Sequence, residues 1–183
     1  MNTAIDGSSS VLLLSPAMPW HLVSSEGSSS SGVPLTSSSG DLPEVQKDAL
    51  YILVVEDNPA DVSLLKHALV EHAVDIPLIV VNDGDKAMRL IAGIIENEAR
   101  PPQLVVLDLN LPKRNGREVL EFVRAEGSWD EVPVVMLSSS AAPRDKADAE
   151  RLGASRYIRK PLDFDEFMAI GQALKSLMNR ESA

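Results

Sequence analysis

From Tyr51 onward, short apolar runs alternate five times with segments whose apolar residues recur at helical spacing. The runs at 51–55, 78–82, 104–108, 132–138 and 155–159 predict strands. The segments near 59–72, 84–97, 115–126, 143–152 and 163–180 predict helices, on spacings such as Leu64, Leu65, Ala68 and Leu69. Pro59 after Asn58 suits a first helical turn, and Gly127 and Gly153 suit helix ends. Pro77, Pro101-Pro102 and Pro133 punctuate strand starts. Two inner runs, LVVL and VPVVML, are apolar on both faces, as strands covered by helices on either side must be. Five such units predict an α/β fold, a doubly wound five-stranded parallel sheet of order 2-1-3-4-5 with five helices. A ligand in that architecture sits beyond the strand C-termini at the switch point, between the first and third strands.

The preceding residues differ in kind. Residues 1–48 hold runs such as Ser8–Ser10, Ser28–Ser31 and Ser37–Ser39, with apolar islands only at Val11–Leu14 and Trp20–Val23. Such a stretch buries too little to offset backbone ordering, about 1–2 kcal/mol per residue, and is expected to be a disordered tail ahead of one domain over 49–183. That domain carries 16 basic against 22 acidic residues, within a net charge of −10 for the 183-residue chain. An acidic domain is a poor match for a phosphate backbone, so direct nucleic-acid contact is not expected. The absence of cysteine excludes disulfides and thiolate metal sites. No apolar stretch approaches the roughly 20 residues of a membrane span, and no Lys or Arg precedes Lys47 to open a signal peptide. A soluble, cytoplasmic protein with no membrane contact is the expectation.

Four of the strand candidates end on residues suited to a phosphate or its metal: Glu56-Asp57, Asp108, Ser138 and Lys160-Pro161. Three carboxylates at one sheet edge repel, by about 4 kcal/mol per pair at 4 Å and an effective dielectric of 20. A cation is therefore expected among them, and with oxygen ligands alone the choice is Mg²⁺. Lys160 adds a second positive charge. A carboxylate can also attack phosphorus to give an aspartyl phosphate, and Asp108, ending the central strand, is the best placed. Catalysis would rest on positioning and charge neutralisation, with the Ser138 hydroxyl donating to a phosphoryl oxygen.

EDNP at 56–59, DLNLPKRNG at 108–116, LSSS at 137–140 and YIRKP at 157–161 together resemble the receiver domain of two-component response regulators, a flavodoxin-like fold. The resemblance covers essentially all of 49–183 and implies a role for each residue. Asp108 would be the phosphoacceptor. Asp57 would ligate Mg²⁺ directly and Glu56 through water, with the Asn110 backbone carbonyl completing the set. Ser138 would be the switch hydroxyl, Tyr157 the rotating switch aromatic and Lys160 the phosphate-pairing cation. The Lys160–Pro161 bond would be cis. VVEDNPADVSLLKHAL and the KPLDFDEF stretch resemble stand-alone receivers that partner bacterial phytochrome-type histidine kinases.

Few residues follow the last helix, so the expected output is a binding event. The chain would take a phosphoryl group from a histidine kinase or phosphotransfer protein. It would then engage a downstream protein or a second copy of itself through the fourth helix, fifth strand and fifth helix, without being an enzyme in the ordinary sense. The alternative is a constitutive interaction module that keeps the fold without phosphotransfer. A Toprim-type phosphoesterase wants Asp-x-Asp where Asp108-Leu109-Asn110 stands, and a flavodoxin's flavin phosphate would be repelled by Glu56-Asp57. His67 and His72 read as surface residues, Trp129 as an anchor before the fourth strand, and Lys113-Arg114 as a solvated basic pair.

Overall fold

The computed structural model describes residues 42, 43 and 45–179. The Ser-rich stretch expected to be disordered lies outside these residues up to position 41. Packing begins ahead of the expected boundary at 49: Val45 is buried in the core, and Arg100 N donates to Lys47 O at 2.8 Å.

Five strands alternate with five α-helices: β1 (Ile52–Val55), α1 (Pro59–Glu71), β2 (Leu78–Val81), α2 (Gly84–Glu96), β3 (Leu104–Leu107), α3 (Gly116–Ala125), β4 (Val134–Ser138), α4 (Pro143–Arg151), β5 (Arg156–Arg159) and α5 (Phe164–Met178). All pairings are parallel, in the order β2-β1-β3-β4-β5. Every residue of β1, β3 and β4 is buried. Because side chains alternate across a strand, each strand feeds both cores. Leu53, Val55, Val105, Leu107, Val134 and Met136 pack with α2 and α3. Ile52, Val54, Leu104, Val106, Val135 and Leu137 pack with α1 and α5. At the edge, β5 exposes Arg156 and Arg159, charges that discourage further strand pairing.

The strands are shorter than their apolar runs for local reasons. Pro133 has no N–H for the ladder and Val132 N bonds Trp129 O, so β4 starts at Val134 rather than 132. Gly127 stands directly after the Glu126 C-cap of α3, as expected, and opens a 3-10 turn, Gly127–Trp129, whose Trp129 is buried. Gly153, with φ +88°, likewise follows the Leu152 C-cap of α4. His72 is not a free surface residue: its Nε2 lies 3.1 Å from Met168 O on α5.

The βα turns sit at the C-terminal edge of the sheet, and four of the five are closed by a side-chain helix cap, α4 starting after Ala142 without one. Asn58 accepts from Ala60 N, Asp83 from Lys86 N, and Asp163 from Asp165 N and Glu166 N. Asn115 and Glu118 form a capping box on α3. The caps at Asn58 and Asn115 fix the far ends of the loops that carry Glu56-Asp57 and Asp108.

Candidate phosphoacceptor and metal site

Ladder hydrogen bonds run past the strand ends and pin the site residues. Glu56 N donates to Val81 O (2.9 Å), Asp108 N to Val55 O (2.9 Å) and Lys160 N to Ser138 O (2.8 Å). The four strand endings are thereby brought to one edge. Oxygens of Glu56, Asp57 and Asp108 all lie within 4.8 Å of one another. Glu56 and Asp108 are buried, while Asp57 is exposed at the mouth. Oxygen-only donors converging at that separation fit a hard divalent cation.

Lys160 is the cation within this edge. Its Nζ donates to Glu56 Oε2 (2.7 Å), Asp61 Oδ2 (2.8 Å) and Asp108 Oδ2 (2.8 Å), which uses all three ammonium hydrogens. The second carboxylate oxygens are held by backbone: Asn58 N donates to Glu56 Oε1 (3.0 Å) and Asn110 N to Asp108 Oδ1 (3.1 Å). Burial pushes the Glu56 carboxyl above its ordinary range, and the bonds from Lys160 and Asn58 reduce this without cancelling it. Burial acts to lower the Lys160 ammonium, but its bonds to Asp108, Asp61 and Glu56 prevail and hold it above the usual lysine range. Gly116 makes the geometry available. A Cβ there would stand 2.1 Å from Asp108 O, so no other residue lets α3 start this close to the phosphoacceptor candidate.

Asp61 is the residue the sequence reading missed. It lies in the first turn of α1, three residues after the Asn58 cap. The one available signal was that a first-turn side chain of the helix after β1 overhangs the strand ends. The expected cis bond is also corrected. There is no cis peptide among the described residues, so Lys160–Pro161 is trans. An X–Pro bond separates the isomers by only about 0.5–1 kcal/mol, and Lys160 reaches all three acids from the trans form.

Ser138 is fully buried at the end of β4, and its Oγ accepts from Ser140 N at 3.2 Å. Tyr157 is half-buried, and its hydroxyl donates to Ser140 O at 2.9 Å. Ser140 Oγ also bonds Asp145 on α4, whose carboxylate pairs with Arg117 of α3. Arg117 reaches Asp148 as well, at 3.2 Å. Ala149 is the only buried α4 residue, so these ion pairs carry much of its attachment.

The basic pair is not simply solvated. Lys113 Nζ pairs with buried Asp83 at 2.8 Å, and Arg114 bridges Asp85 and Glu118. Burial alone would raise the Asp83 carboxyl, but hydrogen bonds from Lys113 and Lys86 N outweigh it and hold the group below its ordinary range. A depressed carboxylate contributes stability that is present above its unfolded pKa, about 3.9, and lost as pH falls through the folded value. Asp83→Ala is therefore expected to cost about 1 kcal/mol at pH 7 in urea unfolding. The gap to wild type should narrow at acid pH as the Lys113 pair is lost, and Asp83→Asn, which keeps an acceptor for Lys86 N, should recover part of it. A gap independent of pH would refute this assignment.

No helix among the described residues is long and apolar enough to cross a membrane. The family model for the response regulator receiver domain matches residues 52–172. Response regulator Rcp1 of Synechocystis sp. is 35% identical over 127 residues, covering 68% of this chain and 86% of Rcp1. The crystal structure of the Mn²⁺-bound form of Rcp1 superposes with a TM-score of 0.62 over 69% of this chain and 92% of that one, at 33% identity. The phosphorylated cyanobacterial phytochrome response regulator RcpA gives a TM-score of 0.63 at 34% identity, over 71% of this chain and 94% of that one. The KDP operon regulator KdpE of Escherichia coli is 34% identical over 72% of this chain, which spans 52% of KdpE. Sequence, fold and the acidic edge agree: this chain belongs to the response regulator receiver family.

Proposed function

We propose that the protein is a stand-alone response regulator that accepts a phosphoryl group on Asp108 from a histidine kinase, in a Mg²⁺-dependent reaction. The observation that carries this reading is the Lys160 ammonium bound to both Glu56 and Asp108 at the edge where three acids converge. An Asp108 carboxylate oxygen forms the new bond to phosphorus while the phosphorus–nitrogen bond of the donor histidine breaks, the nitrogen keeping the electron pair. Glu56, Asp57 and Asp108, with the carbonyl of Asn110, would hold Mg²⁺, which supplies charge neutralisation for the phosphoryl oxygens. Lys160 pairs with one of those oxygens.

Ser138 is the switch hydroxyl in this reading. Drawing its Oγ toward the phosphoryl group pulls on Ser140 N and loosens the Ser140 carbonyl from Tyr157. The surface of α4, β5 and α5 then changes its affinity for a downstream protein or a second copy of the chain. The likeness to RcpA, a cyanobacterial phytochrome response regulator, supports a phytochrome-type kinase as donor.

The test is incubation with a small phosphodonor or beryllofluoride and Mg²⁺, followed by intact mass and amide NMR. Wild type is expected to gain one phosphoryl group and to shift resonances around Asp108, Ser138 and Tyr157. Asp108→Ala should do neither. A response that survives Asp108→Ala, or none in wild type, would overturn the reading.

A further inference from the structure

We propose that Asp61 is a positioning residue for phosphoryl acceptance, acting by anchoring the Lys160 ammonium; this rests on the function proposed above. Lys160 has three acceptors, and two of them, Glu56 and Asp108, belong to the acid trio that fits a cation. Asp61 is outside that trio, yet its Oδ2 is as close to Nζ, at 2.8 Å, as Asp108 Oδ2 is. When a cation and a phosphoryl group claim the oxygens of Glu56 and Asp108, Asp61 is the acceptor left to Lys160 alone.

A lysine is a point charge on a flexible four-carbon stem, and without an anchor its ammonium is not held where an incoming phosphoryl oxygen needs it. Asp61 is well made for an anchor. Its side chain is 22% exposed, against 10% for Lys160, and the first turn of α1 fixes its backbone behind the Asn58 cap. It bonds Lys160 and not the acceptor carboxylate, so at saturating Mg²⁺ its effect on the reaction passes through the lysine. A first-turn acid that merely complements the helix dipole would affect stability and nothing else.

Two substitutions separate anchoring from charge. Asp61→Ala and Asp61→Asn remove the same charge, so any loss of Mg²⁺ affinity is common to both, but only Asn keeps an acceptor oxygen. At saturating Mg²⁺, Asp61→Ala is expected to accept phosphate from a small donor about tenfold more slowly than wild type. Asp61→Asn should stay within about threefold, a neutral acceptor being weaker than a charged one. In a Lys160→Met background, Asp61→Ala should slow the reaction no further, as a double-mutant cycle requires of a residue acting through the lysine.

An independent readout needs no phosphodonor. The Lys160 NH₃⁺ signal in ¹H–¹⁵N spectra should be protected from exchange in wild type and Asp61→Asn, and lost in Asp61→Ala. Equal rates in Asp61→Ala and wild type, equal slowing in both Asp61 variants, or further slowing in the Lys160→Met background would each overturn the inference. Wild type that takes up no phosphate would instead overturn the proposed function.

Discussion

Replacing Lys160 with methionine should lower the stability of the metal-free protein by about 3 kcal/mol at neutral pH, with Mg²⁺ restoring part of the loss. The lysine side chain is 10% exposed, and it neutralises Glu56 and Asp108, which are 5% and 8% exposed. Methionine keeps the apolar stem and removes a desolvated ammonium, which is a gain. It also leaves three carboxylates without the donor they share, and an unpaired buried charge costs more than the ammonium's own desolvation. Asp61 can turn toward water, being 22% exposed, so the loss falls at the low end of the range for broken buried pairs. A divalent cation binds the folded edge and not the unfolded chain, so the variant should depend on Mg²⁺ more steeply than wild type does. Urea unfolding with and without Mg²⁺ measures both quantities. Stability equal to wild type without metal would mean that the lysine does not hold the acids together.

Much of this site could be read before any coordinates, and the boundary of what could is physical. LVVL and VPVVML admit few alternatives, because a run apolar at every position has no wet face to present, and β3 and β4 are buried throughout. Parallel strands also share a direction, so residues following their C-termini must meet at one edge; Glu56, Asp57, Asp108, Ser138 and Lys160 do. Side-chain partners were not legible in the same way. Asp61 looks in the sequence like any first-turn acid, and only the reach of Lys160 from the end of β5 past β4 and β3 turns it into a partner. The isomer of Lys160–Pro161 rests on an energy difference too small for the sequence to decide. Arg117 reads as one more helix-surface arginine until α4, with Ala149 alone buried, comes to depend on its pairs with Asp145 and Asp148.

The same substitution, glycine to alanine within a helix, is expected to have opposite signs at Gly93 and Gly171. On propensity alone alanine is favoured at both, by about 1 kcal/mol. Around Gly93 in α2 a Cβ meets nothing within 4 Å, so Gly93→Ala should realise most of that gain. At Gly171 in α5 the added carbon would stand 2.0 Å from Ala68 O, 2.6 Å from Ala68 C and 2.6 Å from His72 Cδ2. The first two are backbone atoms of α1 and cannot swing aside, so the helices themselves must separate. Overpacking of this kind costs about 3 kcal/mol at the upper end of its usual range, which exceeds the propensity gain and leaves a net loss of about 2 kcal/mol. Two further contacts across that seam would suffer: His72 Nε2 with Met168 O, and Lys175 Nζ donating to His72 O. The consequence extends to function, because α1 carries Asp61 in its first turn and follows the Glu56-Asp57 loop directly. Gly171→Ala should therefore weaken the protection of the Lys160 ammonium as well as lower the urea midpoint, while Gly93→Ala raises the midpoint and leaves the ammonium unchanged. Equal stabilisation by both substitutions would show that α1 and α5 are not in the close contact on which this argument depends.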